Sequence, residues 1–174
     1  MKKIIMLAIC FVVGFFVYNK NTEIIIPNDS IRIRIIANSN SIEDLYNKKK
    51  LKEEVKDSIY NIVSRAKNFN EAKELIENNY SEIDKLISSK VNNYSISFGK
   101  HFFPKKVYKN VVYNDGEYES LIITLGDGLG DNWWCVLYPP LCLLEDNNST
   151  SNVEYQLAIK KLLLNWQLKL YMLR

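Results

Sequence analysis

Residues 31–45 read "IRIRIIANSNSIEDL". Ile31, Ile33 and Ile35 alternate with Arg32 and Arg34, the period of a strand with one buried face. Asn38-Ser39-Asn40-Ser41 ends that alternation. Ser41, followed three residues on by Asp44, resembles a capping box. Beyond it Leu51, Val55, Ile59, Ile62 and Ala66 recur at the spacing of one helical face. A half-buried strand therefore runs directly into a helix of about 25 residues.

Working outward from there, a second helical pattern begins near Asn70, with Ala72, Leu75 and Ile76 on its inner side. A third starts at Ser81, where Ser81 and Asp84 again resemble a cap, and runs to Val91. Asn92-Asn93 breaks it and the period changes to two. "YSISFGKHFF" (94–103), "KVYKNVVY" (106–113), "EYESLIITLG" (117–126) and "WWCVLY" (133–138) read as strands. Asp115-Gly116 is a hairpin signal between the second and third of these, and Pro139-Pro140 stops the last. After the polar loop "LEDNNSTSN" (144–152), the apolar stretch from Val153 to Leu173 reads as mainly helical. The order of strand, helices, then strands predicts an α+β fold: two or three helices covering an antiparallel sheet of about four to five strands. The expected organisation is an N-terminal export or membrane helix (1–20), a link (21–30), a domain (31–150) and a C-terminal apolar tail (151–174).

The chain has 174 residues, so about 150 remain beyond the N-terminal segment, a length that suits one core. Its formal charge is +3; with Lys2, Lys3 and Lys20 set aside, 20 basic residues face 20 acidic ones. A neutral domain without a basic stripe speaks against nucleic acid, whose recognition depends on phosphate neutralisation. Lys48-Lys49-Lys50, followed by Glu53, Glu54 and Asp57, reads as a solvated helix face. The opening "MKKIIMLAICFVVGFFVYNK" places two lysines before an uncharged run from Ile4 to Asn19. That is an export signal or a membrane anchor, about 24 Å long if helical. No small-x-small cleavage pattern precedes residue 20, which favours an anchor with its lysines inside and the domain outside.

Catalytic constellations are sparse. His101, in "GKHFFPKK", stands alone, and with Cys135 and Cys142 it makes too few metal ligands, wrongly spaced. "GDGLG" (126–130) lacks the Lys-Ser/Thr and the helix of a phosphate loop and reads as a turn, with calcium at Asp127 and Asp131 the lesser reading. Glu117 and Glu119 fall on one strand face, roughly 7 Å apart, and read as solvated charges. No cofactor is expected. "NWWCVLYPPLC" (132–142) holds two adjacent Trp, of which a strand sends one to each face. Its two cysteines bracket the proline pair, and a disulfide and buried free thiols are equally compatible with that spacing.

"IRIRIIANSNS", "HFFPKKVY" and "GEYESLIITLGDGLGDNWWCVLYPPLC" together resemble the signature blocks of the stage II sporulation protein R family, over about residues 31–146 and after the export segment. Gly116, Tyr118, Glu119, Gly126, Gly128 and Asn132 through Cys142 carry the likeness. At Asn40 the family pattern has an acidic residue. The resemblance implies a protein made in the forespore and exported into the space between forespore and mother-cell membranes. It implies a partner, a membrane-embedded aspartic-type peptidase of the mother cell, whose activation matures the precursor of an early mother-cell sigma factor. The chain is then a signal rather than an enzyme. On that reading the partner-facing candidates are Trp133, Trp134, Tyr138, Pro139, Pro140, His101, Phe102, Phe103 and Tyr118, since exposed Trp beside Pro-Pro suits an interface. A peptidoglycan-binding module, using Trp133, Trp134, Tyr138 and Tyr118 as a stacking shelf, is the alternative. A hydrolase acting through Glu119 or His101 is a third.

Overall fold

A computed structural model gives the fold, and it describes residues 23–108, 111–142 and 159–165. Among the described residues the elements follow in the order β1 (Ile24–Ile25), β2 (Ile31–Ile36), α1 (Ile42–Val63), α2 (Phe69–Asn78), α3 (Tyr80–Ser88), β3 (Tyr94–Phe103), β4 (Lys106–Tyr108), β5 (Val111–Tyr113), β6 (Gly116–Leu125) and β7 (Asn132–Tyr138). The fold is mixed α and β, with helices and two sheets. Residues 159–165 are helical; the rest of the expected tail and the export segment lie outside the described residues. Among the described residues no helix is long and apolar enough to cross a membrane.

The strand-to-helix passage forms as its sequence dictates. Ser41 is in the extended region and its hydroxyl accepts the Asp44 N–H at 3.1 Å, opening a helix of 22 residues. Leu51, Val55, Ile59 and Val63 face inward. Asn68 caps α2 by accepting the Glu71 N–H at 2.9 Å. The cap expected at Ser81 and Asp84 is absent. α3 starts at Asn79 with no side-chain cap, because Asn79 spends its amide on the Leu75 carbonyl at the end of α2. Asp84 instead accepts the Tyr94 hydroxyl at 2.6 Å, tying α3 to β3.

The sheet departs from the antiparallel arrangement expected. Its order is β3-β6-β2-β7, with β2 parallel to β6 and antiparallel to β7. Parallel neighbours need a long crossover, and α1 to α3 with β3 supply it. β2 thereby becomes a central strand. Ile31, Ile33 and Ile35 join Leu121, Ile123 and the inner faces of the helices in one core. "KVYKNVVY" is two short strands rather than one. β5 sits between β1 and β4 in a second sheet, so Asp115-Gly116 links two sheets and is not a hairpin turn. The residues expected as a link contribute β1, which pairs in parallel with β5. Ile24 and Ile26 bury themselves with Val111, Val136, Leu141 and Ile159, so residue 159 of the tail belongs to this second core.

Candidate functional site

The two Trp separate as alternation requires. Ile35 pairs with Trp133 and Arg34 with Trp134, so Trp133 lies on the helix side and Trp134 on the other. Both are half-buried. Trp133 packs against the main core, and Lys52 Nζ stands 5.3 Å from its ring centre. Trp134 meets Phe103 edge-on at 5.4 Å and carries Lys106 Nζ at 4.2 Å. A Lys thus sits over a Trp on each side of β7. Between them opens a cleft of about 620 Å³ that follows the strand from Asn132 to Val136. Arg32, Lys49, Lys52 and Lys106 bring positive charge to it; Glu53 is the carboxylate in its wall and is paired with Lys52 and Lys56 at 2.7 Å each.

The alternation rule places Arg32 toward solvent, yet it is 3% exposed. Its guanidinium lies 3.3 Å from the Tyr118 ring centre and 5.3 Å from that of Phe103, and Nη2 donates to the Asn114 carbonyl at 3.1 Å. Burial pushes its pKa down, with the Tyr118 and Tyr113 phenols opposing; a guanidinium remains charged nonetheless. Nε has no acceptor among the described residues, and neither does the buried Trp134 Nε1. Arg32 is a member of this site that sequence reasoning missed, as are Lys49, Lys52 and Lys106. The available signal for Arg32 was the apolar Ile24-Ile25-Ile26 run upstream, of which Ile24 and Ile26 roof that face.

The other candidates divide by burial. Phe103, Tyr118, Tyr138 and Pro139 are buried: Phe103 forms cleft wall, Tyr118 supports Arg32, and Tyr138 belongs to the main core. The Tyr138–Pro139 peptide is cis. Phe102 is 63% exposed and Pro140 is half-buried. His101 is engaged on both ring nitrogens, with Ser120 Oγ at 2.8 Å and Ser97 Oγ at 3.1 Å. Glu117 is exposed, but Glu119 is not a solvated charge: it pairs with Lys73 at 2.8 Å, because α2 packs beside β6. Cys135 and Cys142 form a disulfide with Cα atoms 5.6 Å apart.

"GDGLG" is a clasp. Asp127 N–H donates to Asn38 Oδ1 at 3.0 Å, Leu129 N–H to the Asn38 carbonyl and Gly130 N–H to the Ala37 carbonyl, both at 2.9 Å. A Cβ on Gly130 would lie against the Ser39 carbonyl, so close backbone approach demands glycine there. Asp131 N–H donates to Asn40 Oδ1 at 2.7 Å, a bond that an acidic residue at position 40 would also accept. Among the described residues no group of three or more His, Cys, Asp or Glu could hold a metal.

The blocks that build this clasp and the cleft rim are those of a known family. The model for "Stage II sporulation protein R" matches residues 27–148. The chain belongs to the stage II sporulation protein R family. Stage II sporulation protein R of Bacillus subtilis (strain 168) is 38% identical over 144 residues, covering 79% of this chain and 64% of that protein. The chain therefore spans a little under two thirds of its curated relative's length. No solved structure matches it. Membership of this family gives the protein a role in sporulation.

Proposed function

We propose that this protein is an exported sporulation signal. It activates a membrane-embedded aspartic-type peptidase of the mother cell, and that peptidase matures an early mother-cell sigma-factor precursor. The family membership over residues 27–148 carries the reading. The uncharged run from Ile4 to Asn19 behind Lys2 and Lys3 fits delivery across or into a membrane. A half-buried Trp pair beside an open cleft suits a protein that works by touching another.

Co-expression with the peptidase and the sigma-factor precursor in a non-sporulating host tests this. Processing should require the chain, and processing that proceeds equally without it sinks the proposal. Alkaline phosphatase fused after residue 30 should be active, as export demands. A peptidoglycan-binding module is the second reading, favoured by the aromatic side chains of the cleft. Retention on purified wall, together with no effect on processing, would put that reading first.

A further inference from the structure

The cleft along β7 has a charge that the whole molecule lacks. Outside the N-terminal lysines the chain balances 20 basic against 20 acidic residues. In the cleft, Arg32, Lys49, Lys52 and Lys106 face Glu53, whose carboxylate is already taken up by Lys52 and Lys56. Two buried donors of cleft-lining residues, Arg32 Nε and Trp134 Nε1, lack an acceptor among the described residues. Buried N–H groups are nearly always bonded, so these two call for an acceptor, and the surrounding cations favour an anionic one.

The cleft is also a strand edge. Among the described residues β7 ends the sheet order, paired with β2 on one side, and of its backbone groups the Val136 carbonyl already accepts the Leu141 N–H at 3.1 Å. Five consecutive residues of it, 132 to 136, line the opening. An edge strand offers unpaired backbone groups that an extended chain can join. A chain laid along it would send successive side chains to opposite faces. One face presents Lys52 over Trp133, the other Lys106 over Trp134.

We infer that this edge binds an extended, acidic peptide segment of another polypeptide by strand addition, with neighbouring carboxylates reaching Lys52 on one side and Lys106 on the other. The inference rests on the reading of the protein as one that acts by contact. A free anion or a lipid headgroup satisfies the charge but leaves the row of backbone groups unused, and for that reason the peptide is favoured.

The probe is a fluorescein-labelled blocked hexapeptide, TVDEVT, titrated by anisotropy against the full-length chain in mild detergent. The neutral counterpart TVNQVT should bind at least tenfold more weakly. A TVDEVT version N-methylated at alternate amides on the pairing side should lose binding, as strand addition requires. Lys106→Glu, at an exposed position, should weaken TVDEVT at least tenfold with an unchanged melting curve. Lys49→Glu, also exposed, should weaken it in the same direction and guards against misfolding of the first variant. Equal binding of the acidic and neutral peptides, indifference to both reversals, or retention of the N-methylated peptide overturns the inference. So does binding of anionic vesicles or wall glycan with TVDEVT left unbound. The titration contains no peptidase. If TVDEVT fails while processing in the host remains dependent on the chain, the cleft assignment falls and the proposed function stands. If TVDEVT binds while processing ignores the chain, the reverse holds.

Discussion

The two faces of the four-stranded sheet are covered in different ways. The helix side is mainly apolar: Ile33 and Ile35 of β2 meet Leu121 and Ile123 of β6 beneath α1 to α3, with the Glu119–Lys73 pair at its margin. The other side sets Arg32, Tyr118, Phe103, Ser120 and Trp134 under a three-stranded sheet and the residues leading into it. The first face is a core that any well-fitting hydrophobic set would stabilise. The second holds a buried cation stacked on rings, with a carbonyl as its hydrogen-bond acceptor and no ion pair among the described residues. Such a group is weak evidence for stability. It points instead to the cleft that it lines.

The sharpest way to break this contrast is to truncate each face. Leu121→Ala should cost about 2–5 kcal/mol in urea unfolding, through lost transfer energy and a cavity. Arg32→Met keeps most of the volume and removes a buried charge, so it should cost less than about 1 kcal/mol or stabilise. An Arg32→Met loss as large as that of Leu121→Ala would show that the cation itself holds the second face together. The disulfide comes next. It closes a loop of sequence separation 7 at the end of β7, so reduction should lower stability by about 2 kcal/mol on the chain-entropy argument. Thiol titration of the unreduced, denatured domain should find neither Cys135 nor Cys142 free.

Smaller effects belong to the helix side's entry. Ser41→Ala removes the cap of α1 and should cost about 1 kcal/mol. Asp44 gives the mildest test. Hydrogen bonds from Ser39, then Asn38, hold its carboxyl below the usual range. A depressed carboxylate contributes stability above its unfolded pKa and loses it as pH falls through the folded one. The melting temperatures of the parent and Asp44→Asn should therefore differ most near neutrality and converge in acid. A gap that does not change with pH would remove Asp44's charge from the account.

Much of this was legible locally. The alternation of residues 31–36 and the Ser41 cap gave β2 and the start of α1 because both are set by neighbours within a few residues. The split of Trp133 and Trp134 between faces followed from the pleat alone. Ser81 misled because its cap competed with Asn79, and that choice depends on where α2 ends. Asp115-Gly116 misled because a turn signal says nothing about which sheet the next strand joins. The candidate site was half legible. Trp133 and Trp134, offered as partner-facing, line the cleft, whereas Phe103, Tyr118 and Tyr138, offered alongside them, are buried.

By itself the sequence determined the elements, their caps, the neutral domain behind an apolar N-terminal run, and the family blocks. Tertiary structure decided that β2 lies between a parallel and an antiparallel neighbour, and that the face carrying Arg32 is roofed by Ile24, Ile26 and β5. It also decided that β7 is left at an edge with a cationic cleft beside it. The reason is range. Period, capping and turn chemistry act over a few residues, while strand order and burial depend on which distant surfaces exclude water together.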